Sequence, residues 1–156
     1  MELSALFEAD QAERKALSAT ATPADWAALT ASDERRRARV AVIVAAGGAT
    51  TGADWYAAAM IYQHGQTLGD YAHAREYAVE AVRRGDEDGR WLAAAAWDRW
   101  LVHAGYPQRF GTQSACDWST GVRRCRLHDY DPSITDEERA RWNVPSLATA
   151  LHRSEP

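Results

Sequence analysis

One histidine of the chain occupies a position from which its imidazole can transfer protons. His64 follows Gln63 at the end of an apolar segment that begins at Trp55, and a glycine comes directly after it. An unperturbed imidazole titrates near neutral pH, so histidine is the usual general acid or base of enzymes. We therefore take His64 as the candidate acid or base, with Asp98 or Asp10 tuning or orienting it. The alternative is a helix-terminal cap or a satisfied core histidine.

An acidic and a basic residue interrupt the most apolar stretch of the chain. Asp98 and Arg99 lie within the segment 87–104, whose apolar residues cover nearly every direction of a helix. An unpaired charge is costly to bury, so both side chains need partners in other segments or a wet cleft. In an enzyme, Arg99 would hold an anionic group of the substrate. The alternative is a structural ion pair that links helices.

The first predicted helix repeats this pattern on one face. Positions 3, 7, 10 and 14 share that face, so Asp10 and Arg14 continue the apolar line of Leu3 and Phe7. We therefore expect Asp10 to be partly buried.

A polar segment connects the long apolar helix to the next element. Its amides and hydroxyl can orient a ligand or stabilise developing negative charge, or they can satisfy buried backbone groups. Tryptophans of the neighbouring helices would wall the pocket and exclude water. The predicted substrate-binding residues are Arg99, Gln63, Gln108, Thr112, Gln113, Trp55 and Trp97, with Trp91 and Trp100 as further aromatic walls.

Other catalytic chemistries lack their motifs in this sequence. It contains no Gly-x-Ser-x-Gly elbow and no glycine-rich nucleotide loop, so nucleophilic serine chemistry, NAD and ATP are not indicated. Asp10, His64, Asp98 and His103 are possible metal ligands, but neither His-Glu-x-x-His nor Cys-x-x-Cys spacing occurs. We predict no metal and no cofactor.

The elements that position these residues are mainly helical. Periodicity, caps and glycines predict a compact single-domain helical bundle, with a small β-hairpin at about 110–127 around a turn at 117–121. The predicted helices span about 3–19, 23–29, 32–44, 55–63, 70–84, 87–104 and 135–142, with a last turn or two after Pro145.

Composition restricts the class of protein. The 156 residues fit one domain (1–156) and carry a net charge of −4, which disfavours nucleic acid as a partner. No apolar run reaches the length of a bilayer crossing, and no export signal precedes the first helix, so we expect a cytoplasmic protein. Free thiols are then the default expectation for Cys116 and Cys125, and whether the two pair is left open. The oligomeric state is left open.

The polar residues, taken in order, resemble a known family. Asp10-Gln11, Gln63-His64, Asp98-Arg99 and the segment from Gln108 to Gln113 are similar to the Asp-Gln, Gln-His, Asp-Arg and Gln-x-x-Gly-Thr-Gln signatures of an uncharacterised bacterial family, a domain of unknown function. The resemblance covers most of the chain and implies no activity. Phe110 stands where that pattern has tyrosine, so no phenolic hydroxyl is available there for proton transfer.

These observations favour a small cofactor-independent acid–base enzyme acting on a small metabolite. The reaction would be a cyclisation, elimination, isomerisation or hydrolysis. Seven tryptophans leave room for an aromatic or polycyclic substrate, as in the tailoring of a natural product. The alternative is a non-catalytic helical binding module, in which the polar cluster is structural and exposed tryptophans bind a partner. An enclosed pocket would favour the enzyme, and a broad exposed apolar patch would favour the module.

Overall fold

The chain folds as helices followed by a small hairpin and two short helices. A computed structural model describes residues 2–17, 21–117 and 124–152. Its elements are α1 (Glu2–Ala16), α2 (Pro23–Ala45), α3 (Gly52–Gln63), α4 (Leu68–Arg83), α5 (Gly89–His103), β1 (Ser114–Asp117), β2 (Arg124–Leu127), α6 (Asp136–Arg141) and α7 (Leu147–His152). The predicted fold class, mainly α with one small hairpin, is confirmed.

Three successive helices begin with the same capping box. A threonine hydroxyl accepts the backbone N–H three residues later, and an aspartate there accepts the threonine N–H. These contacts satisfy N–H groups that lack helical partners, which is why each helix begins where it does. The pairs are Thr22 with Asp25, Thr51 with Asp54, and Thr67 with Asp70.

Small side chains let the central helices pack closely. α4 packs most extensively, with α3 on one side and α5 on the other, and α1 lies against α3. Larger apolar residues such as Leu3, Val40 and Ile61 fill the rest of the core. The fully buried alanines of these helices are Ala58, Ala59, Ala74, Ala78, Ala81, Ala93, Ala94, Ala95 and Ala96.

The two helices predicted at 23–29 and 32–44 form one helix, α2. Ser32-Asp33-Glu34 has the composition of a helix start, but the predicted break is wrong. The Asp33 carboxylate is buried and accepts hydrogen bonds from the guanidinium groups of Arg14 (2.7 Å) and Arg36 (2.9 Å). Because these cations bind the carboxylate, it does not cap a backbone N–H, and the helix continues through it.

The hairpin brings the two cysteines together. β1 and β2 pair antiparallel with Cys116 opposite Cys125, and the two residues form a disulfide. The prediction of free thiols is therefore wrong, because it rested on the expected compartment and not on strand register. The predicted turn begins at Asp117, the last residue of β1, and continues outside the described residues.

The remaining predicted boundaries agree within a few residues. α1 ends at Ala16, three residues before its predicted end, and 18–20 lie outside the described residues. The predicted last turns after Pro145 are α7. In the described part of the chain, no helix combines the length and the apolar character that a membrane crossing needs.

Replacing Asp54 by alanine tests the capping boxes. Hydrogen bonds from the N–H groups of Thr51 (2.9 Å) and Thr50 (3.1 Å) hold the pKa of Asp54 below its ordinary 3.8. We expect Asp54→Ala to lose about 1 kcal/mol of unfolding free energy at pH 7. Because the folded-state pKa is lowered, this contribution is present above the unfolded-state pKa and disappears as the pH falls through the folded-state pKa.

Urea unfolding at pH 7 and below pH 3 measures this difference. The control is Asp88→Ala, since Asp88 is the N-cap of α5 but makes no side-chain capping bond. Equal losses in the two variants would contradict the capping interpretation.

Candidate functional site

A buried carboxylate organises the segment that connects α5 to β1. Asp98 is fully buried, and its Oδ1 accepts the N–H groups of Arg109 (2.7 Å) and Phe110 (2.9 Å). Its Oδ2 accepts the N–H (3.0 Å) and the hydroxyl (2.8 Å) of Thr112. Burial raises the pKa of Asp98, and these hydrogen bonds oppose that rise. Gly111 allows the chain to close around the carboxylate, since its φ is +78°.

Gln108 fastens the other side of the same segment. Its side-chain nitrogen donates to the carbonyl oxygens of Gln113 (2.9 Å) and His128 (3.0 Å). Its side-chain oxygen accepts the N–H of Gln113 at 2.9 Å. Both amide protons of the buried Gln108 are therefore used within the protein, which makes it a positioning residue.

A chain of hydrogen bonds leads from Asp98 to the backbone beside His64. The Thr112 hydroxyl donates to Asp98 and accepts a bond from the Gln113 side-chain nitrogen at 3.0 Å. The Gln113 side-chain oxygen accepts from Arg99 Nε (3.1 Å), and Arg99 Nη1 donates to the Gln63 carbonyl (2.7 Å). Asp98 thus fixes the orientation of Arg99 through two intermediate side chains.

Arg99 is a largely buried cation that lacks an acidic partner. Its hydrogen bonds go to two neutral oxygens, and no carboxylate among the described residues lies within 4.0 Å of its guanidinium. Burial lowers its pKa, and the positive charge of Arg14 acts in the same direction. The side-chain oxygen of Gln63, the residue whose backbone carbonyl Arg99 binds, is buried without a partner in the described part of the chain. A buried cation and a buried unpaired amide are features that a bound ligand would satisfy.

A second buried carboxylate, Asp10, lies among cations from α1 and α2. Its Oδ1 is 3.3 Å from Arg14 Nη2 and 3.7 Å from Arg36 Nη1. Both arginines also pair with Asp33. Burial opposes ionisation of Asp10, but His64 and Arg14 together bring its pKa below the ordinary value. Asp10 is therefore an anion at neutral pH, and its negative charge compensates the positive charges of the neighbouring arginines.

The His64 imidazole lies between Asp10 and Arg14. Nδ1 is 2.9 Å from Arg14 Nε and 3.1 Å from Asp10 Oδ2. Arginine only donates and an ionised carboxylate only accepts, so one Nδ1 atom cannot satisfy both neighbours in one protonation state. Unprotonated Nδ1 binds Arg14, and protonated Nδ1 binds Asp10.

The other imidazole nitrogen is available for a ligand. Nε2 makes no hydrogen bond to any described residue, and the His64 side chain is 18% exposed. His64 ends α3, and Arg37 binds its carbonyl oxygen at 3.4 Å. The next residue must be glycine, because a Cβ on Gly65 would lie 2.2 Å from the Cβ of Asp70. The imidazole is thus fixed where α3 meets the start of α4.

The structure brings part of the predicted site together. Asp10 contacts His64, and Arg99 contacts the carbonyl of Gln63. The supporting segment contains Gln108, Thr112 and Gln113, and the Asp98 carboxylate binds it. Within the described residues, Asp98 makes no contact with His64. The predicted residues of the assembled site are therefore Asp10, Gln63, His64 and Arg99, supported by Asp98, Gln108, Thr112 and Gln113.

Two of the four predicted aromatic walls, Trp55 and Trp97, lie elsewhere. Trp55 is at the start of α3, nine residues from His64 and so roughly 13 Å away along the helix. It packs against Tyr77 at 5.3 Å between ring centroids. Trp97 lines a cleft on another face of α5, next to Arg75. The helical period shows on which face of its own helix a residue lies, but not which residue of another helix contacts it. It therefore could not predict the surroundings of the Trp55 and Trp97 rings.

Sequence reasoning left Arg14, Asp33 and Arg36 out of the site. Arg14 shares a helix face with Asp10, four residues before it, which is the spacing of an ion pair. Asp33 and Arg36 have the equivalent three-residue spacing. Those spacings were the available signal, but spacing within a helix does not show which pairs from different helices meet.

The four possible metal ligands do not converge. Asp10 lies beside His64, whereas Asp98 is enclosed by the 109–112 backbone and His103 contacts Tyr71. In the described ranges, no group of three or more histidine, cysteine, aspartate or glutamate side chains is arranged to hold a metal ion.

Comparison of the chain with family models, curated proteins and solved structures finds no match. The family resemblance therefore remains a prediction from the signature residues. The candidate site stands on its own geometry.

Asp98→Asn tests the carboxylate that supports the site. An amide NH₂ would face backbone N–H groups that now donate to oxygen, so we expect a loss of about 1–3 kcal/mol of unfolding free energy. Asp88→Asn, at the exposed start of the same helix, is the control and should change stability little. Urea unfolding measures both variants, and equal small effects would contradict the supporting role of Asp98.

The short Arg14 contact predicts the tautomer of neutral His64. Because Arg14 Nε must donate, Nδ1 accepts and the proton resides on Nε2. Long-range ¹H–¹⁵N correlation spectra distinguish the two tautomers, and the exposed His73 provides an internal comparison. A predominant Nδ1–H tautomer would show that Asp10, not Arg14, binds this nitrogen at rest.

Proposed function

We propose that the protein is a small cofactor-independent acid–base enzyme that acts on a small anionic metabolite. The observation that carries the proposal is the environment of His64. Its Nδ1 lies within 3.2 Å of the buried Asp10 carboxylate, whereas its Nε2 has no partner among the described residues. This is the arrangement of a histidine whose outer nitrogen exchanges protons with a bound molecule.

Proton transfer would occur at Nε2. In the tautomer with Nδ1–H bound to Asp10, Nε2 carries a lone pair and accepts a proton from the substrate. The resulting imidazolium keeps the Nδ1–H bond to Asp10, whose negative charge stabilises it. Return of the Nε2 proton to the product restores the starting state. These steps suit a cyclisation, elimination, isomerisation or hydrolysis.

Arg14 would set the fraction of His64 in the reactive state. Its bond to Nδ1 stabilises the tautomer with Nε2–H, which donates a hydrogen bond but cannot accept a proton. Arg14 and Asp10 therefore compete for one atom, at 2.9 and 3.1 Å.

Arg99 would bind an anionic group of the substrate. It is a largely buried cation bonded to neutral oxygens, and an anion would compensate its charge. Asp98, Gln108, Thr112 and Gln113 would act as positioning residues, since their polar groups bond to the protein itself.

The alternative, a helical binding module, needs one broad apolar surface. The most exposed apolar residues of α2 are Trp26 (54%) and Val42 (57%). They are 16 residues apart, which places them roughly 160° apart around the helix. They do not form one patch, so the exposed residues of α2 do not favour a module.

Turnover of a panel of small carboxylates and phosphate esters tests the proposal. The products are followed by ¹H NMR with wild type and His64→Asn. For any compound that is converted, we expect His64→Asn to lower kcat by about 10²- to 10⁴-fold, because a general acid or base contributes that much. Arg99→Gln should mainly raise KM.

His73→Asn is the matched control, since His73 is an exposed histidine on α4 with 52% of its side chain accessible. Its activity should equal that of wild type. If His64→Asn retains activity, the proposal is wrong. It is also wrong if thermal unfolding shows that His64→Asn is not folded, because the loss of activity then reflects a structural role of His64.

A further inference from the structure

We propose that a second cleft binds a small aromatic carboxylate. The cleft has a volume of about 220 Å³ and lies between α4, α5, α6 and the segment that follows α5. Since none of its lining residues belongs to the His64 cluster, the inference does not rest on the proposed function. The residues that line it are Ala93, Ala94, Arg75, Trp97, Arg109, Phe110, Glu138 and Trp142.

Three aromatic rings form much of the lining of the cleft. Phe110 and Trp142 are 6.0 Å apart between ring centroids, and their planes are inclined by 50°. The Trp97 ring, stacked with Trp100, forms another wall. A cavity of about 150 Å³ is enough for benzene, so the volume here suits one aromatic ring with a small substituent.

Two guanidinium groups give the cleft a positive charge. The Arg75 guanidinium lies 3.9 Å from the centre of the Trp97 ring, and that of Arg109 lies 5.8 Å from the Phe110 ring. Neither is within 4.0 Å of a carboxylate among the described residues. Glu138 is 3.4 Å from Arg141 and so has a cation of its own. An anionic ligand would therefore find uncompensated charge here.

The Arg75 guanidinium is the cation that a bound carboxylate would compensate. It belongs to the lining of the cleft, and burial lowers its pKa because the charged form is poorly solvated here. A carboxylate would supply the missing negative charge, and the attached ring would contact the aromatic side chains of the cleft.

Titration with benzoate tests this site in the full-length protein. Calorimetry gives the affinity, and ¹H–¹⁵N spectra identify the residues that respond. We expect benzoate to shift the Trp97 indole resonance. Benzamide, which has the same shape without the charge, should bind at least about tenfold more weakly, as expected for loss of charge-assisted hydrogen bonds.

Variants separate charge from shape. Arg75→Gln should weaken benzoate binding by about tenfold, whereas Arg83→Gln should leave it unchanged, because Arg83 lies on the same helix with 73% of its side chain exposed. His64→Asn should also bind benzoate normally. If Arg75→Gln is unfolded by thermal melting, Arg109→Gln replaces it.

Four results would overturn the assignment. Benzoate could leave the Trp97 indole resonance unmoved, benzamide could bind as tightly as benzoate, or the glutamine variants in the cleft could behave like Arg83→Gln. Loss of benzoate binding in His64→Asn would place the ligand at the other site and would equally contradict the proposal.

Discussion

The Asp98 carboxylate, enclosed by the backbone of residues 109–112, is the interaction on which the candidate site depends. An ion without exposure to water is tolerated only because four donors converge on it. Those donors belong to Arg109, Phe110 and Thr112, so the same bonds that compensate the charge also determine the path of the segment after α5. The position of Gln113, and through it that of Arg99, follows from this path.

Two of the buried carboxylates, Asp98 and Asp10, are compensated in different ways. Asp98 binds backbone N–H groups, whose protons do not move, and it therefore acts as a fixed anchor. Asp10 contacts guanidinium groups and the His64 imidazole, whose Nδ1 can either accept from Arg14 or donate to Asp10. The first arrangement gives rigidity. The second allows two alternative hydrogen-bond patterns around one ring nitrogen.

The sequence predicted elements better than it predicted partners. Apolar periodicity and capping boxes placed the helices, and the position of Asp10 on the face of Leu3 and Phe7 correctly indicated burial. Asp33 was misread because an acidic residue after serine has the composition of a helix start whether or not it bonds to a backbone N–H. Trp55 and Trp97 were assigned to one pocket because aromatic residues near a candidate site resemble its walls. Contacts between helices determine the partners of Asp33, Trp55 and Trp97. The periodic pattern of a single sequence does not show which helices contact each other.

The disulfide between Cys116 and Cys125 joins residues nine positions apart on two strands, the first of which begins directly after Gln113. Closing a loop of this length lowers the entropy of the unfolded chain enough to stabilise the hairpin by about 2–3 kcal/mol. Such a bond persists in oxidising compartments and is reduced in the cytosol. The redox conditions around the protein therefore determine how firmly the strand next to Gln113, and with it the partner of Arg99, is held.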